Sequence, residues 1–158
     1  LRRMEERVDQ SIQCLMNWDK LKPNHYFEDP VQHIYTQSIF DTKQYDMLYE
    51  NQNNLQHRHW QDFNAKYKIT YKFKENFSDL DYNREVICLW FFKERSDRYY
   101  SHINLHGKKV EYHPNAFLIT RSKDISFERG KKDYIRNPFL QLDLSLQQYK
   151  DIVGIFQK

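Results

Sequence analysis

The sequence predicts an α+β fold: helices first, antiparallel strands next, and an amphipathic helix to close the chain. Three patterns carry that prediction. Residues 66–74 alternate strictly, with Tyr67, Ile69, Tyr71 and Phe73 on one side and Lys66, Lys68, Thr70, Lys72 and Lys74 on the other. Period two marks a strand with one dry face and one wet face. Residues 86–92 read Val-Ile-Cys-Leu-Trp-Phe-Phe, apolar on both faces, as a central strand covered on two sides must be. Ser145 with Gln148 fits a capping box, and Leu146, Tyr149, Ile152, Val153 and Phe156 then share one helical face.

Taken in order, residues 1–21 predict a helix, because Met4, Val8, Ile12, Leu15 and Met16 form one apolar stripe. Pro23 ends it. Residues 31–40 are ambiguous: Val31, Ile34, Tyr35 and Ile39 have helical spacing, yet the segment is short and β-branched. A second helix starts at Asp41 or Thr42, either of which is a good cap, and carries Tyr45, Leu48, Leu55, Trp60 and Phe63. After the strand at 66–74, residues 75–83 form a polar loop around Phe77 and Leu80. The apolar run follows. Further short strands fall at 99–105, 109–112, 116–121, 125–129 and 138–144. Turns at His106-Gly107 and Pro114-Asn115 separate three of them.

About seven short strands and a terminal helix suit a strongly bent antiparallel sheet or a small β-barrel. In element order alone this resembles the pleckstrin-homology-type superfold. Such a fold hosts many unrelated sites, so it implies no function. Residues 1–64 are expected to form a helical segment packed on the sheet, and 65–158 the β-domain with its C-terminal capping helix, the two making one structural unit because the central strand needs a second cover.

Composition excludes several classes. The chain has 158 residues, long enough to bury a core without disulfides, with only 3 Gly and 2 Cys. Scarce Gly argues against phosphate-cradling loops, and two distant cysteines make neither a disulfide framework nor a zinc site. Cys14 and Cys88 read as buried thiols in a reducing compartment, which predicts an intracellular setting, cytoplasmic or nuclear. No apolar run approaches the roughly 20 residues of a membrane span. The chain opens at Leu1, which predicts a segment of a longer protein whose other parts are among its partners. Charge is uneven: residues 1–64 hold 7 Lys+Arg against 10 Asp+Glu, and 65–158 hold 18 against 12.

No enzyme is expected. Asp79, Asp81 and Glu85 are the only acidic cluster beside a strand, and no lysine converges on them as a metal-dependent nuclease requires. His102, His106 and His113 lie near one hairpin, and His57 and His59 flank Arg58, but no carboxylate or cysteine stands at ligand spacing. Neither a metal nor a cofactor is predicted. The sharpest feature is the lysine face. Alternate strand residues recur at roughly 6.6–7 Å, near the phosphate step of an extended nucleic acid. Lys66, Lys68, Lys72 and Lys74, extended by Lys108 and Lys109, would then track a polyanion. Tyr99, Tyr100 and Tyr112 would offer stacking surfaces. The competing reading is that lysines on an edge strand deter aggregation. Together these patterns predict a non-catalytic interaction domain binding a protein partner as a scaffold or adaptor, with single-stranded nucleic acid as the alternative ligand.

Overall fold

The computed structural model describes residues 20–51, 71–92, 102–110, 112–128 and 138–157. Numbered along the chain, its strands are β1 (Tyr26–Phe27), β2 (His33–Thr36), β3 (Tyr71–Lys74), β4 (Val86–Phe91), β5 (His102–Leu105), β6 (Lys108–Val110), β7 (Phe117–Arg121), β8 (Ile125–Glu128) and β9 (Phe139–Leu142). The helices are α1 (Thr42–Glu50) and α2 (Leu146–Phe156).

The strands make two antiparallel sheets. One has six strands in the order β1-β2-β7-β4-β9-β3, the other three in the order β6-β5-β8. The α+β class therefore holds. The sheets do not close, so the small barrel is corrected to two open layers, with β1 and β3 as the edges of the larger one. Two strands precede α1, which also departs from a pleckstrin-homology-like order of seven strands and then a helix.

Every residue of β4 is buried, as its two-sided apolar run requires. Val86, Cys88 and Trp90 face a core completed by Leu48 of α1 and by Tyr149, Ile152 and Val153 of α2. Ile87, Leu89 and Phe91 face Ile103, Leu105, Val110 and Ile125 of the three-stranded sheet. The molecule is thus layered as helices, large sheet and small sheet. Within the described residues the second cover of β4 comes from α1 and α2. The predicted helix at 1–21 lies outside the described residues, apart from its last two. Residues 1–64 are not wholly helical either, because β1 and β2 belong to the large sheet.

A strand that is apolar on both faces carries little register information, since a slip of one residue still buries apolar groups. Buried polar side chains supply what β4 lacks. Trp90 Nε1 donates to Asn115 Oδ1 at 3.0 Å, and Asn115 also accepts from Phe40 N–H at 3.1 Å and donates to Phe40 C=O at 2.6 Å. Asn115 stands at φ 69°, a left-handed conformation that Asn tolerates better than most residues. On β9, the Gln141 side chain accepts from Asp81 N–H at 2.9 Å and donates to Asp81 C=O at 3.0 Å. It thereby ties the loop after β3 to the sheet as a backbone amide would.

Both helix starts follow the predicted caps. Asp41 accepts from Gln44 N–H at 2.7 Å. Ser145 Oγ accepts from Gln148 N–H at 3.1 Å, and Gln148 Oε1 accepts from Ser145 N–H at 2.8 Å. Helix α2 then lies against the β1–β2 ribbon. Tyr149 donates to Gln32 C=O at 3.2 Å, and Tyr26 stacks on Phe156 at 6.2 Å.

Candidate functional site

The β5–β6 hairpin turns through His106 and Gly107, both at positive φ (50° and 91°), as a two-residue turn of type I′ requires. Gly107 suits the larger of these angles because it has no Cβ. The turn brings Lys108 back opposite Leu105, Lys109 opposite Asn104 and Val110 opposite Ile103. Val110 packs into the core between the sheets, and Lys108 points the same way from the strand's exposed end.

Lys108 reaches across to the large sheet. Its Nζ lies 3.3 Å from His33 Nε2 and 4.2 Å from the Phe27 ring centroid. His33 is fully buried and stacks on Phe27 with centroids 5.0 Å apart. Its Nδ1 sits 2.7 Å from Val31 C=O and donates to it, which leaves Nε2 as the acceptor for Lys108. Burial lowers the His33 pKa most, and the adjacent Lys108 charge lowers it further, against an opposing bond to Val31. The imidazole is therefore neutral at pH 7, and the tautomer follows from its two partners.

Beside this cluster runs a groove of about 170 Å³, lined by His33, Tyr35, Gln37, Lys108, Lys109 and Val110. The lining pattern reveals its shape. Residues 33, 35 and 37 are alternate positions, so one face of β2 and its extension forms the floor. Residues 108, 109 and 110 are consecutive, so the wall is the edge of β6, where both strand faces meet the opening. Strand β6 is the edge of the small sheet among the described residues.

The sequence-predicted residues are divided by the fold. Lys108 and Lys109 line the groove. Lys72 and Lys74 lie half exposed on β3, the edge of the large sheet, while Tyr71 and Phe73 turn inward as their alternation predicts. Strand β3 stands four strand positions from β2, about 19 Å at the usual spacing. These two lysine pairs do not form one surface. Tyr112 is corrected outright as a stacking residue. It is 1 % exposed, and its hydroxyl donates to Phe92 C=O and lies 2.9 Å from Pro138 C=O. Its ring is core, packed edge-on to Phe77 and Phe91. Lys66, Lys68, Tyr99 and Tyr100 lie outside the described residues.

No family model and no curated protein matches this chain. Its chemistry is therefore read from the side chains themselves.

Three of the other candidates, Asp79, Asp81 and His106, have structural duties. Asp81 Oδ1 accepts from Asn83 N–H at 2.9 Å and Asp79 Oδ2 from Asn76 N–H at 3.3 Å, so both acids shape their own loop. His106 Nε2 lies 2.9 Å from Asp124 Oδ1, joining the hairpin turn to the helical turn before β8. Among the described residues, no three His, Cys, Asp or Glu side chains converge as metal ligands, and no helix is long and apolar enough to cross a membrane. Large exposed hydrophobics are scattered there: Tyr82 at 49 % and Ile155 at 59 %.

The groove's floor escaped sequence reasoning. His33-Ile34-Tyr35-Thr36-Gln37 does alternate, with Ile34 in the helix-side core, but the helical spacing of Val31, Ile34, Tyr35 and Ile39 competes with that signal.

Proposed function

We propose that this chain is a non-catalytic interaction domain that binds a protein partner, as a scaffold or adaptor in an intracellular setting. One observation carries the reading: the groove is walled by the edge of β6 and floored by β2. A strand edge that no described strand pairs, beside a side-chain floor, is the architecture by which domains take up an added strand.

The groove's size and lining agree. Its volume of about 170 Å³ is well below the roughly 300–1,000 Å³ of small-molecule and cofactor pockets. Its lining contains no carboxylate, thiol or aliphatic hydroxyl. Scattered exposed apolar residues argue against a broad hydrophobic docking face, which leaves edge recognition as the better mode. Cys88, a buried thiol with its pKa pushed up by burial, supports a reducing setting in the cytoplasm or nucleus.

Single-stranded nucleic acid ranks second. The separation of Lys72 and Lys74 from Lys108 and Lys109, and the burial of Tyr112, favour it less, since among the described residues these do not line up as one basic and aromatic track.

A photo-cross-linking amino acid at Gln37, compared with one at Glu75 in the loop after β3, tests the reading. In extracts of the source cells, position 37 should give nuclease-resistant protein adducts at several times the yield of position 75. Adducts that vanish with nuclease would move the assignment to nucleic acid, and equal yields at the two positions would remove the groove from consideration.

A further inference from the structure

We infer that the groove binds an extended acidic peptide as an additional strand on β6, with a carboxylate of that peptide meeting Lys108 and its main chain pairing with Lys109. This rests on the protein-binding reading and specifies the chemistry of the partner.

The first support is main-chain geometry. In an antiparallel pair, opposed residues alternate between those that exchange hydrogen bonds and those whose amide and carbonyl point away. A two-residue turn makes the flanking pair, Leu105 and Lys108, a hydrogen-bonded one. Ile103 and Val110 are then hydrogen-bonded as well, and the pair between them, Asn104 and Lys109, is not. The Lys109 N–H and C=O therefore point off the edge of β6 that no described strand pairs, toward the groove that Lys109 itself lines. One incoming residue exchanges two hydrogen bonds with Lys109. The three residues of β6 span about 10 Å, so three or four peptide residues suffice.

The second support is charge. Six residues line the groove; two are lysines and none is acidic. Among the described residues, neither Lys108 nor Lys109 has a carboxylate partner. The Lys108 ammonium is met by the neutral His33 imidazole and by the face of Phe27, which orient it without cancelling its charge. An ammonium that is positioned but not neutralised, beside a partly enclosed floor, fits a carboxylate better than an apolar or basic group. His33 has no proton to lend at pH 7, so its part is to hold Lys108 in place.

The third support is the floor. Residues of an added strand alternate in direction, and every second one faces His33, Tyr35 and Gln37. The floor is polar, with Gln37 exposed beside Tyr35 and His33, which suits a polar or acidic side chain. Nucleic acid would satisfy the charge but has no use for the Lys109 main chain, so the peptide is favoured.

A random octapeptide display library, panned on the folded chain, supplies the test. Enriched sequences should be net negative, with Asp or Glu at alternate positions. The best enriched peptide, made synthetically and titrated, should shift the Lys109 amide resonance. Methylating the amide nitrogens at its central residues should weaken binding at least tenfold while leaving the protein intact. Lys108→Gln with Lys109→Gln, checked by circular dichroism for an unchanged fold, should also weaken it at least tenfold. Enrichment of neutral or basic sequences, an N-methylated peptide that binds equally well, or no enrichment at all would overturn the inference. So would an oligonucleotide that outcompetes the peptide at Lys109. If position 37 still cross-links to protein while acidic peptides fail, the acidic-strand inference falls and the protein-binding reading stands. If both experiments fail, both fall.

Discussion

Two edges of this molecule carry lysine pairs, and they are built differently. Strand β3 ends the large sheet, with Lys72 and Lys74 facing out and Tyr71 and Phe73 buried beneath them. Strand β6 ends the small sheet, with Lys108 and Lys109 beside a floor that another layer provides. At β3 the core lies under the strand. At β6 the offset between the two sheets leaves a recess next to the strand edge. The comparison teaches that lysine content alone does not mark a binding edge. What distinguishes β6 is a second surface close enough to orient one lysine, through His33 and Phe27; on the proposed reading that surface also receives a partner's side chains.

The largest expected effect tests how firmly each edge is anchored. Phe73 is almost fully buried and its ring lies 5.9 Å from Phe92, inside the core that helices α1 and α2 share. Phe73→Ala should destabilise the fold by about 3–5 kcal/mol, since truncating a buried aromatic loses both transfer energy and packing. Val110→Ala on β6 removes only two methyl groups and should cost about 2 kcal/mol. Urea denaturation of the two variants measures the contrast. Equal losses would mean that the β6 hairpin is as deeply integrated as β3, and the picture of a shallow, accessible edge would need revision.

How much of this was legible beforehand follows from what each segment faces. Strand β3 was readable because one face is wet, so lysine and aromatic residues alternate without ambiguity. Strand β4 was readable for the opposite reason, being apolar throughout. Helix α2 announced itself through Ser145 and Gln148. Strand β2 was not readable, because the helix-side core covers Ile34 while the small sheet, Phe27 and Lys108 surround His33 and Tyr35. A strand with both faces buried in mixed company shows neither clean alternation nor a continuous apolar run. The groove was half legible for a related reason. Lys108 and Lys109 stand out beside the Gly107 turn, but the contact that makes them a site spans 75 positions in sequence, from Lys108 to His33. Tyr112 misled because a tyrosine next to a turn looks exposed, whereas here two main-chain carbonyls satisfy its hydroxyl inside the core.

The next effect concerns pH and separates the two edges by titration. The folded-state pKa of His33 lies below its ordinary value of 6.5, with burial as the main cause. As pH falls below about 6.5 the unfolded chain takes up this proton before the folded one does, so stability is lost. The neutral form contributes fully above 6.5, and the loss proceeds as pH falls through the folded pKa. The slope for one such group is at most about 1.4 kcal/mol per pH unit. His25, also lowered by partial burial and by Lys22, adds a slope of the same sign. Stability curves at pH 7.5, 6.5 and 5.5 for the parent chain and for His33→Gln measure the difference. The variant should show a shallower decline, and an unchanged decline would mean that His33 is not the group that titrates. Protonating His33 also removes the acceptor that holds Lys108, so the β6 edge should loosen over the same window while β3 does not.

The smallest effect on stability is expected at β3, and it is informative because another property should change more. Lys72→Thr with Lys74→Thr keeps a good strand former at both positions and leaves Tyr71 and Phe73 untouched. Stability should shift by less than about 1 kcal/mol, since surface ion pairs and solvated lysines contribute little. Self-association should nevertheless rise. An edge strand presents unpaired main-chain groups, and outward lysines oppose the approach of a second edge by charge repulsion. Sedimentation velocity over a range of concentrations reads this directly, with the double variant associating at concentrations where the parent associates less. The same exchange at Lys108 and Lys109 should weaken the acidic peptide without promoting association, because β6 is only three residues long. If the β3 variant associates no more than the parent and instead loses affinity for a single-stranded oligonucleotide, its lysines are contact residues, and the two edges are both binding sites for different partners. If the β3 variant associates and oligonucleotide affinity was never measurable, the lysines of β3 protect an edge, and those of β6 alone recruit a ligand to one.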